Sequence, residues 1–194
     1  MMRLIRQLAA CKCCDFSGWF LAEASICLEG EICSFSLEIC RKTKRGAILQ
    51  VLGWDDGGSC RQSLTVLLVK PIGVLQEPMS DCAAGPVADE AVWQYTFSEE
   101  EIQAYLAVSG DSNEIHKGKG AVVPGLYFLI LLHQSFGLGN VRWRCRFRRP
   151  VYIGERLYLI RTLAGMEGYV GGRLVSTIEL LPYKERVHNE LNNL

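Results

Sequence analysis

The segment SGDSNEIH, Ser109 to His116, sets a carboxylate, an amide and an imidazole close together in a chain that has only three histidines. Asp111 and His116 could hold one water between them and share a proton transfer, one as base, the other as acid or water-orienter. Asn113 could hydrogen-bond either of them, or an amide on a substrate. A second feature follows at Pro124-Gly125, where an apolar run opens. If a helix starts there, its first amides and its dipole offer a site for developing negative charge. Glycine at that position lets a ligand approach with no side chain in the way. The plain alternatives are a polar turn and an ordinary turn before a helix.

The elements that must hold these groups can be read on either side. Ser98 with Glu101 forms a capping box for a helix whose apolar face carries Ile102, Tyr105, Leu106 and Val108, with Gly110 as its C-cap. A second helix should start near Pro124 and run to about Phe136. Its residues are apolar nearly all round from Leu126 to Leu132, the pattern of a buried helix. Strands are expected at Val92–Phe97, Val141–Phe147, Arg156–Leu163 and Tyr169–Leu181. Before them, Cys33, Phe35, Leu37 and Ile39 alternate, further strands fall at 47–53 and 61–69, and WDDGG makes a turn. Gln76–Ala91 reads as a linker between the two strand-rich segments. Trp143, Cys145, Gly154 and Glu155 come in the same order as Trp19, the strand at Ala22–Cys27, Gly30 and Glu31, a faint repeat. One long buried helix against an antiparallel sheet is an α+β arrangement, and a sheet wrapped around such a helix is the hotdog architecture. Two halves side by side, 1–80 and 91–184, would form a double hotdog.

Composition narrows the class. At 194 residues and 49% apolar, the chain can bury a real core. Lys+Arg and Asp+Glu both number 21, so no net charge drives the chain to nucleic acid or anionic membrane. The most apolar run, AVVPGLYFLILLHQSF, is broken by Pro124, Gly125, His133 and Gln134 and is too short to span a bilayer. The start, MMRLIRQLAACKCC, has too short an apolar stretch for a signal peptide, and a cytoplasmic location is the expectation. Nine cysteines are scattered except for the Cys11, Cys13, Cys14 cluster, which lacks a second Cys/His pair at zinc spacing. Scattered strand cysteines read as small buried apolar residues in a reducing compartment, and no metal site is expected.

The stretch YLAVSGDSNEIHKGKGA resembles the signature of the MaoC-like dehydratases and (R)-specific enoyl-CoA hydratases, with Ser109, Gly110, Asp111, Asn113, Ile115, His116 and Ala121 in register. FSEEEIQAYLAVSGD, VVPGLYFLILL and FRRPVYIGERLYL resemble the flanking helix, the buried helix and the following strands, so the likeness runs from about Ala91 to Leu181. Glu114 stands where the family usually has proline, leaving the turn without that ring and adding a carboxylate, and KGKG replaces a longer loop. The resemblance implies reversible hydration of 2-enoyl thioesters and dehydration of 3-hydroxyacyl thioesters, on coenzyme A or acyl carrier protein, without a cofactor. It implies catalytic roles for Asp111, His116, Asn113 and the Gly125 amide, and substrate contacts at Ser109 and Gly110.

Arg142, Arg144, Arg146 and Arg148 alternate on one strand and share a face. They read either as a dock for the phosphates of coenzyme A or a carrier arm, with Arg146 and Arg148 as the substrate-binding pair, or as a solvated strand face. His133 fits a hydrogen-bonded core histidine, and His188 lies in a polar tail. The first half contains no histidine. It is therefore expected to be a degenerate hotdog that replaces a partner subunit and shapes the acyl pocket, with Met2–Ala10 as a remnant of its central helix. A homodimer remains open. The rival readings are a hotdog acyl-CoA thioesterase and a non-catalytic acyl-thioester-binding subunit.

Overall fold

The computed structural model describes residues 1–11, 15–71, 89–118, 120–137 and 142–181. Residues 76–88 of the expected linker and the tail with His188 lie outside them, as do Cys13 and Cys14. The elements run α1 (Met2–Ala9), β1 (Phe20–Leu28), β2 (Ser34–Lys42), β3 (Gly46–Trp54), β4 (Cys60–Val69), β5 (Ala91–Thr96), α2 (Glu99–Ser109), α3 (Gly125–Phe136), β6 (Arg142–Phe147), β7 (Arg156–Thr162), β8 (Gly165–Val170) and β9 (Arg173–Leu181). The single strand expected over Tyr169–Leu181 is in fact the end of one strand and all of the next. Gly171-Gly172, both at positive φ, turn the chain between them, and that glycine pair was the available signal.

Among the described residues, nine strands form one antiparallel sheet in the order β2-β3-β4-β1-β6-β9-β8-β7-β5. The order repeats on either side of the β1–β6 contact: β4, β3 and β2 lead away from β1 as β9, β8 and β7 lead away from β6. At that seam Glu23 faces Arg146, Ser25 faces Arg144 and Cys27 faces Arg142. Alternation decides which side chains enter the core. Trp143 and Cys145 are fully buried, while Arg142, Arg144 and Arg146, which alternate with them, point to the other face. One apolar core joins the two sides, with Leu4, Ile5, Leu49 and Val66 in the same cluster as Phe97, Leu129, Leu157 and Ile178.

Helix α3 anchors in this core through Phe128, Leu129 and Leu132. Phe128 sets its ring 6.2 Å from both Trp93 of β5 and Phe147 of β6. The helix is not buried all round, as its sequence suggested; Leu126, Ile130 and Leu131 are half-buried. His133 is half-buried too, and its Nδ1 has no hydrogen-bond partner among the described residues, contrary to the expected bonded core histidine. The short α1 buries Leu4 and Ile5 against β2, β3 and β4. Of the strand cysteines, Cys145 is buried, Cys27 and Cys60 are intermediate, and Cys33 and Cys40 are exposed. The last two lie in and beside the edge strand β2, where neither face is well covered.

Candidate active site

Helix α2 delivers the chain to the site. Its N-terminus has the capping box read from sequence: Glu101 N–H donates to Ser98 Oγ at 3.2 Å, and Ser98 N–H to Glu101 Oε2 at 3.0 Å. Its C-cap is Gly110 at φ 77°, a left-handed conformation that favours glycine. Ser109 is buried there; its hydroxyl donates to Leu106 O and accepts from Asp111 N–H at 3.2 Å. Ser109 and Gly110 thus end the helix and aim Asp111. They do not line the cavity described below, so the substrate contacts expected of them are corrected to a positioning role. Val108, placed by sequence on the apolar face, is 49% exposed.

Asp111 then turns the chain by accepting Asn113 N–H on Oδ1 at 3.0 Å. A 3-10 turn, Glu114–His116, follows, and glutamate is accommodated in place of proline: its carboxylate pairs outward with Lys117 at 2.8 Å. His116 is only 7% exposed. Its Nδ1 lies 2.7 Å from the carbonyl oxygen of Val122. A carbonyl can only accept, so Nδ1 carries the hydrogen and the neutral ring presents a bare Nε2. That Nε2 faces Asp111 Oδ2 at 3.6 Å, too far for a direct hydrogen bond. Burial drives the His116 pKa below its ordinary value; the nearby Asp111 charge and the Val122 carbonyl pull the other way and do not prevail. Two acceptors facing each other in this way suit a molecule that donates to both, as water does.

Asn113 has a different task from the one its sequence suggested. Its Oδ1 accepts Gly18 N–H at 2.8 Å and Ile115 N–H at 3.4 Å, and its Nδ2 donates to Trp19 O at 2.9 Å. Oδ1 and one Nδ2 hydrogen form a clasp between the site loop and the chain entering β1, so the side-chain bonds expected to Asp111 or His116 are corrected, while Asn113 still lines the cavity described below. Arg6 adds a second tie, donating to Val108 O at 2.9 Å across the end of α2. Arg6 at one end, and Gly18 with Trp19 at the other, thus grip the segment that carries Asp111.

The pair opens on a cavity of about 420 Å³, mostly apolar in lining, within the range of small-molecule sites. Residues from both sides of the seam enclose it, among them Leu8, Phe20 and Leu68 from the first half and Val123, Phe128 and Val175 from the second. Gly125, the first residue of α3, lines it as expected. A Cβ at position 125 would stand 2.8 Å from Leu21 Cδ2 and 2.9 Å from Phe147 Cζ, so glycine is also a packing requirement there.

Arg148 lines the cavity, but Arg146 does not. Arg146 pairs with Glu23 at 3.0 Å and Glu179 at 3.1 Å, and Arg144 joins the same carboxylates at 3.3 and 4.0 Å. The phosphate dock expected at Arg146 is corrected to a cross-strand ion-pair cluster over the seam. Its carboxylates lie on β1 and β9, sequence-distant partners that only the sheet order brings opposite. Lining residues with polar side chains that sequence reasoning did not assign to the site include Asp15, Ser17, Tyr105, Ser112, Arg149 and Ser176. The first half, expected to shape the acyl pocket, also brings a carboxylate to its lining at Asp15, engaged by Ser17 N–H at 2.8 Å. The aromatic phase of α2 marked Tyr105 only as core, and Asp15 and Ser176 carried no sequence signal.

No protein-family model and no curated protein matches the sequence. Solved structures do resemble the chain. HtdX from Mycobacterium tuberculosis aligns with a TM-score of 0.60 at 16% identity, over 84% of this chain and 76% of that one. A MaoC-like dehydratase aligns with a TM-score of 0.62 at 13% identity, over 92% and 79%. An acyl-ACP thioesterase from Bacteroides thetaiotaomicron aligns with a TM-score of 0.54 at 10% identity, over 84% and 75%. Together with the sheet order and the central helix, these likenesses define an α+β protein of hotdog fold, with both sides of the seam covered by the alignments.

Proposed function

We propose that this protein is a MaoC-like hydratase that interconverts 2-enoyl and 3-hydroxyacyl thioesters. The observation that carries the reading is the neutral His116, its Nδ1–H tied to Val122 O and its Nε2 set 3.6 Å from Asp111 Oδ2 at the wall of an apolar cavity. A water held by both groups lies beside the acyl chain. His116 Nε2 takes one proton as the water oxygen bonds to C3, while Asp111 accepts the other hydrogen and orients the molecule. The double-bond electrons move toward the thioester oxygen. Backbone amides at the start of α3, with the helix dipole behind them, receive that charge. Nε2 returns its proton to C2, and water has been added with every proton accounted for. No redox step occurs, so the chain's own groups suffice.

A second reading has a specific observation behind it, the likeness to an acyl-ACP thioesterase. There the same water would attack the carbonyl carbon and the C–S bond would break. Crotonyl-CoA separates the two. Hydration removes the enone absorbance with no free thiol, and hydrolysis releases thiol. A binding subunit does neither. On this reading Arg148, which lines the cavity, would meet a phosphate of coenzyme A or of a carrier-protein arm.

A further inference from the structure

The ends of the central strands sort charge. The cavity reaches the surface where β3 begins, β4 ends, β1 begins and β6 ends. Val69 pairs with both Gly46 and Phe20 there, and Phe20, Val69 and Phe147 all line the cavity. Exposed lining residues, Asp15, Ser17, Pro71 and Arg148 among them, mark its mouth. The connections at this end are basic: Lys44 and Arg45 lie in the β2–β3 turn, Lys70 follows β4 and Arg148 follows β6. Lys70 N–H donates to Arg45 O at 3.0 Å, which holds that turn against the end of β4. Lys42 stands over the ring of Phe16, another lining residue, 5.9 Å from its centre. Lys44, Arg45, Lys70 and Arg148 are exposed, and among the described residues none of the four pairs with a carboxylate. Besides Asp111, the lining holds one carboxylate among the described residues, that of Asp15. At the opposite ends of β1 to β4, Glu29, Glu31, Asp55 and Asp56 occupy the connections, with Arg61 paired to Asp55. A chain of zero net charge thus carries a basic rim at its cavity mouth.

Neighbouring strands stand roughly 5 Å apart, so the rim from β3 to β6 spans on the order of 15 Å. That is wider than one diphosphate needs, and it suits a protein face. Among the described residues the exposed large apolar side chains are Val92, Val108, Leu163 and Leu180, and none belongs to the rim. The rim therefore lacks the apolar anchors of a membrane-seated surface. We propose that the thioester reaches this site on an acidic acyl carrier protein, whose negative face docks on Lys44, Arg45, Lys70 and Arg148 while its arm takes the acyl group into the cavity. The inference rests on the acyl-thioester reading and chooses between the two carriers that reading allows. Such surface charges steer the encounter and set its orientation, so their effect falls on the carrier and not on the acyl group.

The test is calorimetry on the full chain with a butyryl-loaded acyl carrier protein of strongly negative charge, a ligand with no double bond to hydrate. The triple variant Lys44→Glu, Arg45→Glu, Lys70→Glu should bind it about 10-fold more weakly at low salt, the loss of three exposed charge contacts. Salt at about 0.5 M should bring parent and variant together. Butyryl-pantetheine, which is uncharged, should bind both alike, and butyryl-CoA should lose far less than the carrier. Arg161→Glu, at the other end of β7, should bind the carrier as the parent does. If the triple variant melts lower than the parent, Lys44→Gln, Arg45→Gln, Lys70→Gln takes its place and should weaken the carrier by roughly 3-fold. The proposal is overturned if the carrier binds parent and variant alike, if butyryl-CoA loses as much as the carrier, or if the variant loses phosphatidylserine vesicles and keeps the carrier. Crotonyl-CoA hydration measured alongside separates the two readings. Docking without hydration counts against the hydratase assignment alone, and hydration without docking counts against this inference alone.

Discussion

Replacing Asn113 separates a clasp from a catalyst. Asn113→Ala removes the bonds to Gly18 N–H at 2.8 Å and Trp19 O at 2.9 Å and the weaker one to Ile115 N–H at 3.4 Å. Each good bond contributes about 1 kcal/mol net, and the stranded Gly18 and Trp19 groups add to the loss, for roughly 2–4 kcal/mol in all. For a chain of this size that lowers Tm by about 4–16 °C. The loop carrying Asp111 then loses its tie to β1, and a misplacement on the scale of an ångström lowers kcat by ~10²-fold. Asn113→Asp is the sharper probe. It keeps an acceptor for Gly18 N–H but turns an oxygen toward Trp19 O in place of the Nδ2 donor. It should be destabilised at neutral pH and recover in part once acid protonates the new carboxyl. Urea unfolding and crotonyl-CoA hydration measure the two effects. If Asn113→Ala leaves stability at the parent value yet abolishes turnover, the amide touches reacting atoms and the clasp account is wrong.

Asp111→Asn and His116→Ala should each lower kcat/KM by at least ~10²-fold, the usual contribution of a general acid–base group, while Asp55→Ala, far along the chain in an ion pair with Arg61 at 2.6 Å, should keep full turnover; equal losses at Asp55 would move the chemistry to the first half. Because burial lowers the His116 pKa from 6.5, the acid limb of kcat/KM should fall below that value, and a limb above it would mean that a charged ring is the active form. The same shift makes the unfolded chain bind the extra proton first. Stability should therefore hold above pH 6.5 and decline as pH falls from there through the lower folded value, read by urea titrations on both sides. Gly125→Ala drives a methyl into Leu21 and Phe147 and should cost about 1–3 kcal/mol; adding Leu21→Ala should recover part of it, and no recovery would place the strain elsewhere.

Local chemistry made much of this molecule legible in its sequence. The Ser98–Glu101 box, the left-handed Gly110, the start of α3 at Gly125 and the inward Trp143 and Cys145 are set by neighbours a few residues away, so spacing and residue type were enough. The approach of Asp111 to His116 is equally local, since an Asx turn and one 3-10 turn span the gap between them. What the sequence left open depended on partners far along the chain. Asn113 reads as a catalytic amide until Gly18 and Trp19, 95 and 94 residues away, are found on it. Arg146 reads as a phosphate dock until β1 and β9 bring Glu23 and Glu179 beside it, 123 and 33 residues away. Period-two patterning shows that a strand has a polar face, but strand order alone decides which charges face each other across it. The cavity is likewise a tertiary product. Leu68 and Val175 meet on it only because β1 pairs with β6 and closes one sheet from two halves.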